Sequence, residues 1–176
     1  MNLQSLRNRP AVVWFTGLPC AGKTTIAERV ACELARRKVK VEHLDGDHIR
    51  NLFPGTGFTR DERNRHLKRI GYMASLLEKH GVTVIASFVS PYARSRAQIR
   101  DLCRRFVEVH VSTPLEVCER RDIKGLYRKA RRGQLKHFTG IDDPYEAPRR
   151  PDLVLDTSDM TVEEAAGRVV AYLARH

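Results

Sequence analysis

The stretch AVVWFTGLPCAGKTTIAERV, residues 11–30, changes character twice. Its first seven residues form a bulky apolar run closed by Gly17, the pattern of a short buried strand. Beyond Thr24 the apolar residues fall at Ile26, Ala27, Val30, Ala31 and Leu34, the spacing of one helix face. Between the two lies GLPCAGKT, residues 17–24, which fits G-x-x-x-x-G-K-[ST] in the strand–turn–helix context that gives the pattern its meaning. Glycines at 17 and 22 let the backbone curl, so that successive N–H groups and the helix N-terminus face phosphate oxygens. Lys23 is expected to reach the β and γ phosphates, and Thr24 to offer its hydroxyl to Mg²⁺. The nucleotide cradle therefore runs through Gly17, Leu18, Pro19, Cys20, Ala21, Gly22, Lys23, Thr24 and Thr25. Cys20 reads as a small filler, because no C-x-x-C partner accompanies it.

Outward from this unit the same alternation repeats. VKVEHLD (39–45), VTVIASF (82–88), RFVEVHVS (105–112) and DLVLDT (152–157) read as further strands. TRDERNRHLKRIGYMASLLEKHG (59–81) reads as a long helix opened by a Thr59-x-x-Glu62 capping box and stopped by Gly81. A helical PYARSRAQIRDLCR separates the third and fourth strands, and Thr161-x-x-Glu164 caps a last amphipathic helix. Five strands alternating with helices imply an α/β fold: a parallel five-stranded sheet flanked by helices, with ligands at the carboxyl ends of the strands. From about 122 to 151 the periodicity fails, with one short helix expected in GLYRKARR. A broken stretch of that length inside a compact chain is the mark of a lid.

The remaining composition narrows the function classes. A chain of 176 residues and 20.1 kDa is expected to be a single domain, with a core that needs no disulfide or metal staple. No apolar run approaches the ~18 residues of a membrane span. MNLQSLRNRP lacks a signal-peptide core, and the four cysteines are scattered, so a cytoplasmic location is expected. The net charge of +11 suits either nucleic acid or pockets for small polyanions, but no long basic run or aromatic-rich strand favours nucleic acid. His43 and His48 have the wrong helical spacing for a zinc pair.

DGDHIR (45–50) follows the second strand and sets Asp45 and Asp47 at the sheet edge beside the phosphate loop. One carboxylate could serve the Mg²⁺ shell and the other could accept or orient a proton from a hydroxyl nucleophile, the division that phosphoryl transfer needs. The plainer alternative is an Asx turn with a helix cap. Arg50 falls one turn into the next helix, and Arg63 and His66 share one side of the long helix among several arginines.

These residues resemble the adenylylsulfate (APS) kinases, which phosphorylate the 3′-hydroxyl of adenosine 5′-phosphosulfate with MgATP. The similarity covers residues 11–160 through GLPCAGKTT, LDGDHIR, GF at 57–58 with Arg63, FVSPY (88–92), PLEVCERRD (114–122), KGLYRKAR (124–131) and FTGIDDPYEAP (138–148). The first piece is shared by many NTPases, whereas the last two are specific. The resemblance implies a P-loop kinase fold with a lid, two nucleotide substrates and a homodimer. It further implies that Phe58 and Phe138 sandwich the adenine of the acceptor, that Arg50 and Arg63 hold its phosphosulfate, and that Asp45 serves the metal. Asp47 would serve the 3′-hydroxyl and Lys124 the transferring phosphate. Ser90 occupies the family's phosphoserine position; direct in-line transfer needs no covalent step, and no base adjoins it in sequence, so a hydrogen bond to substrate is the expectation.

The chain departs from the family pattern at two places: His66 stands where Asn is usual, and Ser95 where an acidic residue is usual. Beside an anionic acceptor His66 is expected to favour its imidazolium form, the alternative being a solvated ring on a basic helix face. Two rival functions remain at this point. One is a kinase of the same fold with another small acceptor, such as a sugar acid; the other is a non-catalytic nucleic-acid-binding module.

Overall fold

A computed structural model describes residues 9–53 and 55–176, so the reading of the first eight residues lies outside the described chain. Five strands, β1 (Val12–Gly17), β2 (Val41–Asp45), β3 (Thr83–Ser87), β4 (Phe106–Val111) and β5 (Leu153–Leu155), form one sheet in the order β2-β3-β1-β4-β5. Every pairing is parallel. Helices α1 (Lys23–Arg36), α2 (Gly46–Leu52), α3 (Arg60–Lys79), α4 (Ala93–Leu102), α5 (Leu115–Arg121), α6 (Leu126–Arg131) and α7 (Val162–Arg175) fill the connections and the C-terminal end.

Because successive side chains of a strand point to opposite faces, the central β1 supplies two cores. Val13 and Phe15 pack with Ile26, Val30 and Leu34 of α1 and with Val169 and Leu173 of α7. Val12 and Trp14 face Leu67, Ile70 and Ala74 of α3 and Ile99 of α4. Trp14 also stacks on Phe88, with ring centroids 5.0 Å apart.

The helix starts obey the signals in the sequence. Thr59 accepts from the Glu62 N–H while Glu62 Oε2 takes the Thr59 N–H at 3.0 Å, and Thr161 with Glu164 repeats the box on α7. Each cap is worth about 1 kcal/mol. Gly81, at φ +85°, ends α3 in the left-handed conformation that glycine takes without strain.

The stretch from 122 to 151 carries α6 where GLYRKARR predicts it and is otherwise irregular. Its second half is pinned to the sheet. Tyr145 Oη lies 3.0 Å from Thr16 Oγ1, the Glu146 N–H donates to Pro91 O, and buried Arg96 bridges Glu146 O to Glu108. Helix α5 lies just before it, in a piece the sequence reading used as a motif and assigned to no element.

Candidate functional site

The carboxyl ends of β1, β2 and β3 come together at Gly17, Asp45 and Ser87, because the parallel register sets Asp45 opposite Ser87. A Cβ on Gly17 would meet Val111 O at 2.4 Å, so only glycine lets the loop leave β1 there. Gly22, at φ +97°, turns the loop into α1, and Cys20 also sits at positive φ. Ala21 O accepts from both Thr113 and Thr157 hydroxyls, at 3.1 and 3.0 Å, and Arg121 in turn donates to Thr157. This brace behind the loop escaped the sequence reading; its signals were a hydroxyl just past β4, another just past β5, and the second arginine of PLEVCERRD.

Lys23 Nζ folds back onto Leu18 O at 2.7 Å, and burial lowers its pKa to about 8. Thr24 Oγ1 donates to Asp45 Oδ2 at 2.8 Å, and Ser87 Oγ donates to the same oxygen at 3.0 Å. The other carboxylate oxygen of Asp45 caps α2, accepting from the N–H groups of Asp47 and His48. Asp45 is thus both a cap and a candidate metal-side carboxylate. Burial would raise its pKa, but these hydrogen bonds, led by Thr24, outweigh burial and hold the carboxyl below its usual range.

A single cavity of about 950 Å³ extends from the loop, where Pro19, Cys20 and Thr25 line it, toward α2, α3 and the 122–151 stretch. Asp47 stands in its wall and is ion-paired to Lys124 across from it. That hydrogen bond is the main cause raising the Lys124 pKa. Arg50, Phe58, Arg63, His66, Ser90 and Phe138 line the same cavity. Every side chain that sequence reasoning selected outside the phosphate loop is therefore in one space. Within the loop, Gly17, Leu18 and Ala21 stand behind the lining.

The two phenylalanines are held differently. Phe58 is 48% exposed, with the Arg50 guanidinium 4.3 Å from its ring centre. Phe138 is 8% exposed and packs edge-on against Tyr127 at 4.9 Å. Arg63 ties them together, donating to Phe58 O and His137 O, with Asp143 3.7 Å away. Asp143 also accepts from Tyr92 Oη, and Asp142 accepts from the N–H groups of His137 and Phe138. The acidic residues of FTGIDDPYEAP therefore shape the loop that carries Phe138.

Ser90 is buried with φ +41°, its Oγ accepting from Trp14 Nε1 at 3.1 Å and lying 3.5 Å from Phe88 O. No base touches that hydroxyl among the described residues. Ser95 is buried as well and donates to Asn64 at 2.6 Å, a neutral link between α4 and α3.

His66 overturns one of the two expectations for it. The ring is 2% exposed, so it is not solvated. Burial first, then Arg50 and Arg69, depress its pKa to about 4, so in the protein by itself the imidazole is neutral at ordinary pH. Desolvation opposes the charged form, and the neighbouring guanidiniums add to the effect.

The chain is similar to known proteins. The chain is 48% identical over 170 residues to an adenylyl-sulfate kinase of Halothermothrix orenii, covering 96% of this chain and 92% of that protein. A solved structure of the Mycobacterium tuberculosis APS kinase, in complex with AMPPNP and APS, superposes with a TM-score of 0.90 at 41% identity, covering 94% of this chain and 98% of the other. A hexameric APS kinase from Thiobacillus denitrificans gives a TM-score of 0.72 at 29% identity, covering 96% of this chain and 30% of that one. The family model for adenylylsulphate kinase matches residues 9–156, which takes in β1 through β5 and the whole cavity wall up to Asp156. The P-loop kinase fold and this match agree, and the chain belongs to the adenylylsulphate kinase family.

Proposed function

We propose that this chain performs the reaction of its family, moving the γ-phosphoryl of ATP to the 3′-hydroxyl of adenosine 5′-phosphosulfate to give 3′-phosphoadenylylsulfate and ADP. The observation that carries the residue assignments is the single cavity lined by the phosphate loop, by Arg50, Phe58 and Arg63, and by the ion pair of Asp47 and Lys124. An acceptor hydroxyl presented beside Asp47 lies between the donor phosphates and the acceptor's own anionic groups.

In this reading the 3′-oxygen attacks the γ-phosphorus in line, the new O–P bond forming as the bridge to the β-phosphate breaks. Asp47 accepts or orients the hydroxyl proton, which then passes to solvent. Lys124 is already at Asp47 and turns its ammonium, still protonated, toward the moving phosphoryl oxygens, while Lys23 leaves Leu18 O for the β and γ oxygens. Phe58 and Phe138 take the acceptor adenine, and Arg50 with Arg63 take its phosphosulfate, for which planar guanidinium donors are suited. Ser90 contributes a hydrogen bond and no covalent intermediate, consistent with a hydroxyl that lacks a base.

The donor set at Thr24 and Asp45 is all oxygen and carries an ionised carboxylate, which fits Mg²⁺. Those two residues would hold the ion, which when bound neutralises charge on the β and γ phosphates. The same proposal includes a homodimer and a cytoplasmic location. The latter draws on four cysteines that are all free thiols.

Coupled ADP release with adenylylsulfate, gluconate and a short RNA offered in turn tests the reaction, with Asp47→Asn run alongside the native chain. Turnover is expected with adenylylsulfate alone, and Asp47→Asn is expected to lower kcat by roughly 10²-fold or more with ATP binding little changed. Turnover on gluconate would move the chain to another acceptor, and a defect confined to ATP affinity would make Asp47 a metal-side residue.

A further inference from the structure

His43 has the wrong spacing to share a metal with His48, and the structure gives it a different partner. In β2, His43 and Asp45 lie on one face, and the register sets Ile85 opposite His43 and Ser87 opposite Asp45, so Ser87 shares that face with both. His43 Nε2 is 3.1 Å from Ser87 Oγ, and Ser87 Oγ is 3.0 Å from Asp45 Oδ2. Thr24 Oγ1 reaches the same carboxylate oxygen from α1 at 2.8 Å. Proton count gives this chain its direction. A serine hydroxyl has one proton, and an ionised carboxylate can only accept, so the Ser87 proton points to Asp45. His43 is therefore the donor to Ser87, with a proton on Nε2 whether the ring is neutral or charged. Thr24, Asp45 and Ser87 line the cavity, whereas His43 lines no part of it. What His43 does for a ligand it must do through Ser87.

We propose that His43 is a positioning residue for the metal-side carboxylate: its N–H to Ser87 Oγ fixes the serine proton on Asp45 Oδ2 and so holds Asp45 in the orientation that serves a divalent cation beside Thr24. This rests on the reading of Thr24 and Asp45 as the Mg²⁺ side of the site, and it adds the group that aims them. A hydroxyl proton rotates to suit its neighbours, and a donor already seated on the oxygen removes the directions in which that proton would leave the carboxylate. Ser87 is 3% exposed, so no bulk solvent competes for the bond. The other oxygen of Asp45 is committed to the N–H groups of Asp47 and His48, which leaves Oδ2 as the oxygen that side chains set. Thr24 also donates its one proton to Oδ2, so the lone pairs of its own oxygen are left for the cation. Hydrogen bonds arranged in series polarise one another, and His43 is the first donor of this series.

The test is the gain in affinity that Mg²⁺ confers on a non-hydrolysable ATP analogue, measured by calorimetry with saturating Mg²⁺ and again in EDTA. His43→Val suits a strand and removes the donor; it is expected to cut that gain about three- to tenfold, the range of one neutral hydrogen bond, while binding in EDTA stays near native. His43→Gln, whose amide N–H can take the place of Nε2–H, should recover most of the gain. In a Ser87→Ala background, His43→Val should cost nothing further, because the route through the serine is already gone. A full gain in His43→Val would overturn the proposal, as would an equal loss with and without Mg²⁺, a loss that His43→Gln does not repair, or an undiminished effect of His43→Val on top of Ser87→Ala. If His43→Val does not fold, Ser87→Ala alone decides it, since a full Mg²⁺ gain without the serine hydroxyl contradicts the relay. Asp45→Asn run alongside separates the two readings: if that variant keeps the full gain, the metal-side assignment falls and takes the proposal with it, whereas a loss in Asp45→Asn with none in His43→Val overturns the proposal alone.

Discussion

Lys23 illustrates how one residue can be legible in sequence yet hold information that only packing reveals. Its identity in the loop pattern predicts a phosphate contact, but its pKa of about 8 follows from burial against the loop and the core. An anionic triphosphate favours the protonated amine, so nucleotide binding raises that pKa again. The sign follows directly: affinity is at its full value below about pH 8, where the free lysine is already charged, and falls as pH rises from there toward the pKa of the complex. Measuring the Kd of a non-hydrolysable ATP analogue from pH 7 to 9.5 should show this decline, and Lys23→Ala should bind weakly with a flat profile over the same range. A native profile as flat as that of the variant would mean that Lys23 stays on Leu18 O in the complex. His66 makes the opposite point. Its position one turn from Arg63 was visible, but its charge was not, because desolvation depends on Phe53 and Phe88, which sequence spacing does not bring to it.

Among the elements, strands and capped helices were the most legible, and the 122–151 stretch the least. The compact apolar run closed by Gly17 for β1, and the 3.6 period with the Thr59 capping box for α3, fix both elements almost to the residue because those signals are local. Helix α5 was passed over because its seven residues are too few to develop a period. In the irregular stretch the decisive contacts are all long-range: Tyr145 to Thr16, Glu146 to Pro91, Tyr127 to Pro19 O. Those contacts also divide it. Residues 138–146 are fastened to the sheet corner, whereas Arg131, Arg132 and Lys136 lie on exposed backbone just ahead of them, and Ile123 is 90% exposed at the cavity mouth. If the first part closes over bound nucleotides, trypsin cleavage between Arg128 and Lys136 should slow when a non-hydrolysable ATP analogue and adenylylsulfate are both present, and less so with either alone. Mass spectrometry of the fragments over a time course measures this directly. Equal cleavage rates in every condition would remove the lid assignment while leaving the anchored Phe138 half untouched.

For the molecule as a whole, sheet order and the placement of the cavity at its carboxyl edge follow from alternating strands and helices, whereas the net charge of +11 belongs to no one element. With a net charge of +11 and anionic substrates, encounter should be steered by charges far from the site. Local pairing at Arg50 and Arg63 also weakens with salt, so salt dependence alone does not separate the two causes. Distance does. Arg104, after α4, and Arg175, at the end of α7, are exposed and line no part of the cavity, and reversing both to Glu removes two charges at each position without touching a substrate contact. At 0.1 M salt the screening length is about 10 Å, so their influence belongs to the low-salt regime. Steering predicts that Arg104→Glu/Arg175→Glu lowers kcat/KM for adenylylsulfate by a few-fold at about 20 mM salt, leaves kcat unchanged, and converges with the native chain near 0.3 M. Stopped-flow or steady-state rates across that series provide the curves. If the two proteins run parallel at every salt concentration, the field is local, and the basic excess serves the arginines that touch substrate and nothing beyond them.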